Sequence, residues 1–225
     1  MRRTSAAGFT LIELLIVVVV IAILAGMTVP NFLQARLQAN ERSALASMRA
    51  IVNAEFQVRS QGLIDSNNDG MPEFGFLGEL AGQRPVRGSG SKLSPPVLSV
   101  AMGLVDNTGT ISRSGYLFRL FLPNAAGVGV PETSAGLASV DPGLAVDYWA
   151  AMAWPSSYGQ SGVNTLWTGS RGEILKTKAP AYSGVLATIY PSAPFLSATT
   201  PGLITGSTLA INVAGSDGNI WRVVP

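Results

Sequence analysis

GFTLIELLIVVVVIAILAG, residues 8–26, sets one carboxylate, Glu13, inside an otherwise apolar run. From Phe9 to Val29 there are 21 residues, and Glu13 is the only charge among them. As helix, at about 1.5 Å per residue, this is roughly 30 Å, enough to cross a hydrocarbon core. A charge at bilayer depth costs about 3 kcal/mol even on the lenient scales. The acid is therefore either a blemish tolerated near the edge of an ordinary anchor or one half of a pair.

The flanks bear on that choice. Residues 1–8, MRRTSAAG, are short and basic. A secretory signal has a shorter apolar region followed by a small-residue cleavage site. Here the small residues Ala6, Ala7 and Gly8 precede the run, so a cut among them keeps the hydrophobic segment on the mature chain.

The basic leader, Gly8, Phe9, Thr10, Leu11, Ile12 and Glu13, followed by the long apolar run, resemble the prepilin signature of type IV pilins and type II secretion pseudopilins. The likeness extends through Pro30, where many of these proteins carry a helix-loosening proline. It implies cleavage by prepilin peptidase between Gly8 and Phe9 and methylation of the new Phe9 amino group. It also implies that Glu13 of one subunit pairs with the Phe9 amine of a neighbour and fixes axial register. The physical case is that an unpaired charge in an apolar bundle is costly, whereas pairing removes much of the penalty. The implied partners are further copies of the same chain, the inner membrane before assembly, the peptidase and the pilus or secretion assembly machinery. The implied localisation is the bacterial inner membrane and then an extracellular filament.

Beyond Pro30, NFLQARLQANERSALASMRAIVNAEFQVRS continues as helix, with Phe32, Leu33, Leu37, Ala44, Leu45, Met48, Ile51, Val52 and Phe56 forming an apolar stripe at three- and four-residue steps. Arg36, Glu41, Arg42, Arg49, Glu55 and Arg59 take other positions. Pro30 removes an intrahelical bond and crowds the preceding turn, so a kink or melted turn is expected there. Gly26 and Thr28 weaken the same region.

After Gly62, Asp65, Asn67 and Asp69 alternate, Gly70 follows, and Glu73 comes four residues after Asp69. Oxygen ligands at alternate positions and a turn glycine match the first half of a calcium loop. The match then fails, because Phe76 stands where the bidentate acid belongs. A shorter site of Asp65, Asn67, Asp69, the Met71 carbonyl and Glu73 stays open beside the plainer reading of a turn after a helix.

The rest of the chain reads as β-rich. SGYLFRLFLP (114–123), DYWAAMAWP (147–155), VNTLWTG (163–169) and GEILKTK (172–178) are strand candidates, the last two a hairpin joined near Ser170 to Gly172. AMAWPSSYGQSGVNTLWTGSRGEILKTK is also similar to the last sheet strands of many pilin-like proteins. GSTLAINVAGSDGNIWRVVP places two strand-like runs about Gly215 to Gly218, so an extra C-terminal hairpin is expected. The expected fold is α+β: a long N-terminal helix, transmembrane in its first half, packed on an antiparallel sheet as in the pilins. The divisions are 1–8 leader, 9–30 membrane and filament-core helix, 31–61 amphipathic helix, 62–113 connecting loop, 114–178 sheet and 179–225 C-terminal extension.

Composition narrows the function. Of 225 residues, 47% are hydrophobic and 12% charged, about half the usual charged share, so the chain holds a core of its own. The formal charge of +2 vanishes without residues 1–8, and no basic cluster tracks a phosphate backbone, so nucleic acid is poorly supported as the main ligand. With no cysteine and no histidine, disulfides, thiolate metal sites, His-based triads and the usual zinc sites are excluded. No phosphate-binding loop is present either, so any motor that moves this chain is a separate protein. The reading is a structural filament subunit without a required cofactor. The alternatives are a pseudopilin or minor pilin, and a membrane-anchored adhesive domain that does not polymerise.

Overall fold

The computed structural model describes residues 8–196, 200–205 and 208–224. The leader, apart from Gly8, lies outside the described residues.

Helix α1 runs from Leu11 to Gln61, 51 residues or about 77 Å. Thr10 starts it with a capping box shared with Glu13, and Gly62 ends it at φ 65°, its N–H reaching the carbonyls of Val58 and Arg59. The Leu63 N–H bonds to Val58 O at 3.1 Å, which closes the last turn. The helix is unbroken through Pro30, so the melted turn expected there is not present. A proline removes only its own N–H from the ladder, and local side chains brace the turn: Thr28 Oγ1 donates to Leu24 O at 2.7 Å and Asn31 Nδ2 to Met27 O at 3.2 Å.

Among the described residues seven antiparallel strands form one sheet: β1 (Thr110–Arg113), β2 (Tyr116–Pro123), β3 (Gly129–Pro131), β4 (Ala150–Pro155), β5 (Thr165–Gly169), β6 (Ile174–Thr177) and β7 (Arg222–Val223). Their order is β1-β2-β4-β5-β6-β7, with β3 also pairing β2. Short helices α2 (Leu77–Leu80), α3 (Ser134–Ser139) and α4 (Pro142–Ala145) sit in the connections.

Because side chains alternate along a strand, β2, β4, β5 and β6 each serve two cores. Phe118, Leu120, Ala151, Ala153, Leu166 and Ile174 face α1, where Ala44, Met48, Ile51 and Val58 are buried against them. Leu117, Phe121, Met152, Trp154, Trp167 and Leu175 face the other way, onto the C-terminal extension. That is why AMAWP and TLWTG are buried at every position.

The extension forms a second cover, in place of the expected two-stranded hairpin. Around Gly215–Gly218 there is one antiparallel bridge, Ala214 to Ile220, and the chain then turns into β7 on the edge of β6. The sheet's aromatic donors hold this cover: Trp154 Nε1 donates to Gly184 O at 2.9 Å and Trp167 Nε1 to Pro191 O at 2.8 Å. Trp221 is fully buried, whereas Tyr190 is 45% exposed.

Candidate assembly site

From Thr10 to Arg36 every described side chain of α1 is exposed; the head begins to cover the helix only beyond that point. Phe9 and Leu11 are each 81% exposed in the single chain. Helix α1 has a stretch long and apolar enough to cross a membrane. A bare apolar rod of this kind has stable surroundings only in lipid or among other helices.

At the tip of the rod the structure shows what Glu13 does in one copy. Thr10 N–H and Thr10 Oγ1 both donate to Glu13 Oε2, at 2.9 and 2.7 Å, and Glu13 N–H donates back to Thr10 Oγ1 at 3.3 Å. A carboxylate at N3 also sits in the positive end of the helix dipole. Glu13 Oε1 has no donor among the described residues. With residues 1–8 attached, the Phe9 nitrogen is an amide. Cutting the Gly8–Phe9 bond turns it into a cation four residues before an acid that has a free oxygen.

The candidate calcium residues hold the following places. Asp65 accepts the N–H groups of Asp69 (3.2 Å) and Gly70 (3.0 Å), and Asp69 accepts the Met71 N–H (2.7 Å) and Asn67 Nδ2 (2.8 Å). These carboxylates shape their own turn. Glu73 is fully buried, accepts Ser66 N–H and Oγ, and lies 3.3 Å from Arg87 Nη1. Among the described residues no group of three or more Asp, Glu, His or Cys is placed to hold a metal ion.

Sequence reasoning missed the cluster to which Glu73 belongs. Glu55, Glu73, Glu79 and Glu132 are all buried. Arg87 Nε meets both Glu79 oxygens at 3.1 and 3.2 Å, and its Nη2 donates to Phe74 O. Glu55 Oε2 accepts the Gly75 N–H at 3.0 Å, tying α1 to the connecting segment, while its Oε1 has no hydrogen bond. Burial pushes the Glu55 carboxyl well above the usual carboxylate range. Glu132 Oε2 accepts the Gly78 N–H at 3.0 Å; its Oε1 lies 3.1 Å from Arg84 Nε but out of line for a hydrogen bond. Burial pushes the Glu132 carboxyl up to about 7. Glu55, placed among the polar positions by sequence, belongs to the buried face. Its spacing from Ile51 and Val58 is the signal that marks it.

Residues 3–29 match the family model described as the prokaryotic N-terminal methylation motif. The chain is similar to the type IV wide pilus major component PilA4 of Thermus thermophilus, 48% identical over 64 residues, which covers 28% of this chain and 46% of that protein. It is 38% identical over 72 residues to the type IV major pilin protein PilA of Myxococcus xanthus, 32% of each chain. It is 35% identical over 54 residues to the type II secretion system core protein G of Aeromonas hydrophila, 24% of this chain and 38% of that one. The chain thus spans less than half the length of these relatives. No solved structure matches it.

Proposed function

The chain carries the N-terminal region of the type IV pilins and type II secretion pseudopilins, and from that premise we propose that it is a structural subunit of an extracellular type IV pilus. Before assembly α1 holds the monomer in the inner membrane. Prepilin peptidase then cuts between Gly8 and Phe9 and methylates the Phe9 amine, and a separate assembly machinery adds the subunit to a helical filament. The chain acts by assembly and not by catalysis.

The observation that carries this reading is the bare apolar rod of α1 with Glu13, the only charge from Phe9 to Val29, exposed at its tip and in need of a donor once lipid or other helices exclude water. The new Phe9 ammonium of an adjacent subunit supplies that donor and a compensating charge, and it fixes register where apolar packing alone would slide. A second reading, a pseudopilin of a type II secretion system, draws on the similarity to core protein G and uses the same rod.

The test is Glu13→Ala in cells that process the chain. Cleavage at Gly8 should continue while the yield of sheared fibre collapses. Normal fibre yield from the variant would contradict the registry role.

A further inference from the structure

One side of the head gathers four cations that make no ion pair among the described residues. Lys176 of β6 and Arg222 of β7 are directly opposed across the ladder, and Lys178 follows two residues on from Lys176. Lys176, Lys178 and Arg222 line one cleft, and Arg42 of α1 lines the adjoining cleft with Lys176. Arg42, Lys178 and Arg222 are exposed and Lys176 is half-buried. Among the described residues none of the four makes an ion pair. Glu41, which lines the cleft with Arg42 and Lys176, is held by the Val163 N–H (2.9 Å), the Asn164 N–H (3.2 Å) and Asn164 Nδ2 (2.7 Å). Like charges directly opposite on paired strands are destabilising, so this edge carries a cost with no return inside one copy. The Lys176–Arg222 cleft, about 270 Å³, lies below the range of about 300–1,000 Å³ usual for small-molecule sites. It suits single side chains offered by a larger partner.

The complement is on the same chain. Asp65 and Asp69 stand in the turn just after α1, with no cation in ion-pair contact among the described residues. Their bonds to backbone N–H groups leave lone pairs free, since a carboxylate has about four acceptor sites. From Arg42 to the Gly62 cap is about 30 Å of helix, so basic cleft and acidic turn lie far apart along α1. Parallel copies displaced along that axis by about this length bring the cleft of one level with the turn of the other. Such a contact is heterologous and repeats without closing, which is the geometry of a filament.

We infer that the cleft of Arg42, Lys176, Lys178 and Arg222 receives the Asp65–Asp69 turn of a second copy displaced along the helix axis. The inference rests on the polymer reading and adds a head-to-head contact to it. It is separate from the Glu13 pair at the other end of the helix.

The chain has no cysteine, so introduced thiols report one distance only. Sheared fibres of the full-length double variant Asp69→Cys, Lys178→Cys, treated with a bis-maleimide, should give a ladder of covalent dimers and higher species that neither single variant gives. Lys178→Glu should lower fibre yield by about tenfold, because it sets like charges together, and Lys178→Glu with Asp69→Lys should recover most of it. Fibres that form without a ladder overturn this contact and leave the polymer reading standing. So does a fibre yield that Lys178→Glu does not change, the outcome expected if the cleft serves an external polyanion instead. A wild-type chain that never leaves the membrane, in cells with the assembly machinery, overturns both.

Discussion

Replacing Glu132 by Gln tests the buried acid cluster through its pH dependence. The folded carboxyl sits at about 7 against an ordinary 4.5, raised by burial. A group raised on folding contributes stability that is complete below its unfolded value and is lost as pH rises through its folded value. For Glu132 the window is therefore pH 4.5 to about 7. A shift of that size, at about 1.4 kcal/mol per unit, gives a loss of about 2.5 kcal/mol between pH 5 and pH 8. Glu55 is raised by the same cause and pushes the same way, whereas Asp106, lowered by its bonds with Thr108 and Thr110 despite partial burial, acts only below its ordinary range near pH 4. The assay is thermal unfolding of the soluble head beginning at Asn31, followed by circular dichroism from pH 5 to 8. For a domain of this size the wild-type melting temperature should fall by about 5–10 °C across that range. Glu132→Gln keeps an oxygen for the Gly78 N–H, cannot ionise, and should flatten the slope. A head that gains stability from pH 5 to 8, or a variant with the wild-type slope, refutes the reasoning.

Other perturbations follow from the same contacts. Arg87→Met leaves Glu73 and Glu79 without their cation and should cost about 3–5 kcal/mol in urea unfolding at pH 7; a loss under 1 kcal/mol would show that the pairs contribute little. Trp221→Ala empties the centre of the outer core and should cost about 3–5 kcal/mol, with the C-terminal extension becoming sensitive to limited proteolysis. Millimolar calcium or a chelator should leave the head's melting temperature unchanged, because Glu73 faces Arg87 and the Asp65 and Asp69 oxygens serve their own turn. A clear upward shift with calcium would support the five-ligand site.

The parts legible in the sequence are those where one physical preference dominates. The apolar run, its single acid and the stripe at Ala44, Met48 and Ile51 identify α1, and short runs of apolar and β-forming residues bounded by Gly and Pro identify β2, β4, β5 and β6. At the β5–β6 turn, Gly172 has φ 79°, and a Cβ there would come within 3.0 Å of the Phe56 ring, so glycine is required. Strand β1 was hidden in the connecting segment because TISR is short and half polar. Its turn residues, Ser114 at φ 49° and Gly115 at φ 75°, mark the hairpin only once the partner strand is known. The acid cluster was hidden because a buried carboxylate and an exposed one look alike in sequence. Only the fold brings Glu55, Glu79 and Glu132, from three distant segments, to Arg84 and Arg87. The C-terminal extension was read as a hairpin because strand-like runs flank SDGN. What decides its form is the tail-facing row of Trp154, Trp167 and Leu175, which needs a cover more than the tail needs a partner strand.

On the proposed function, the rod of α1 becomes a filament core once the Gly8–Phe9 bond is cut. Intact-mass and N-terminal analysis of sheared extracellular fibres tests it most directly. The expected result is a chain that begins at Phe9 with a methylated amine and makes up the bulk of the fibre. A chain that begins at Met1 and is found only in the membrane would contradict it.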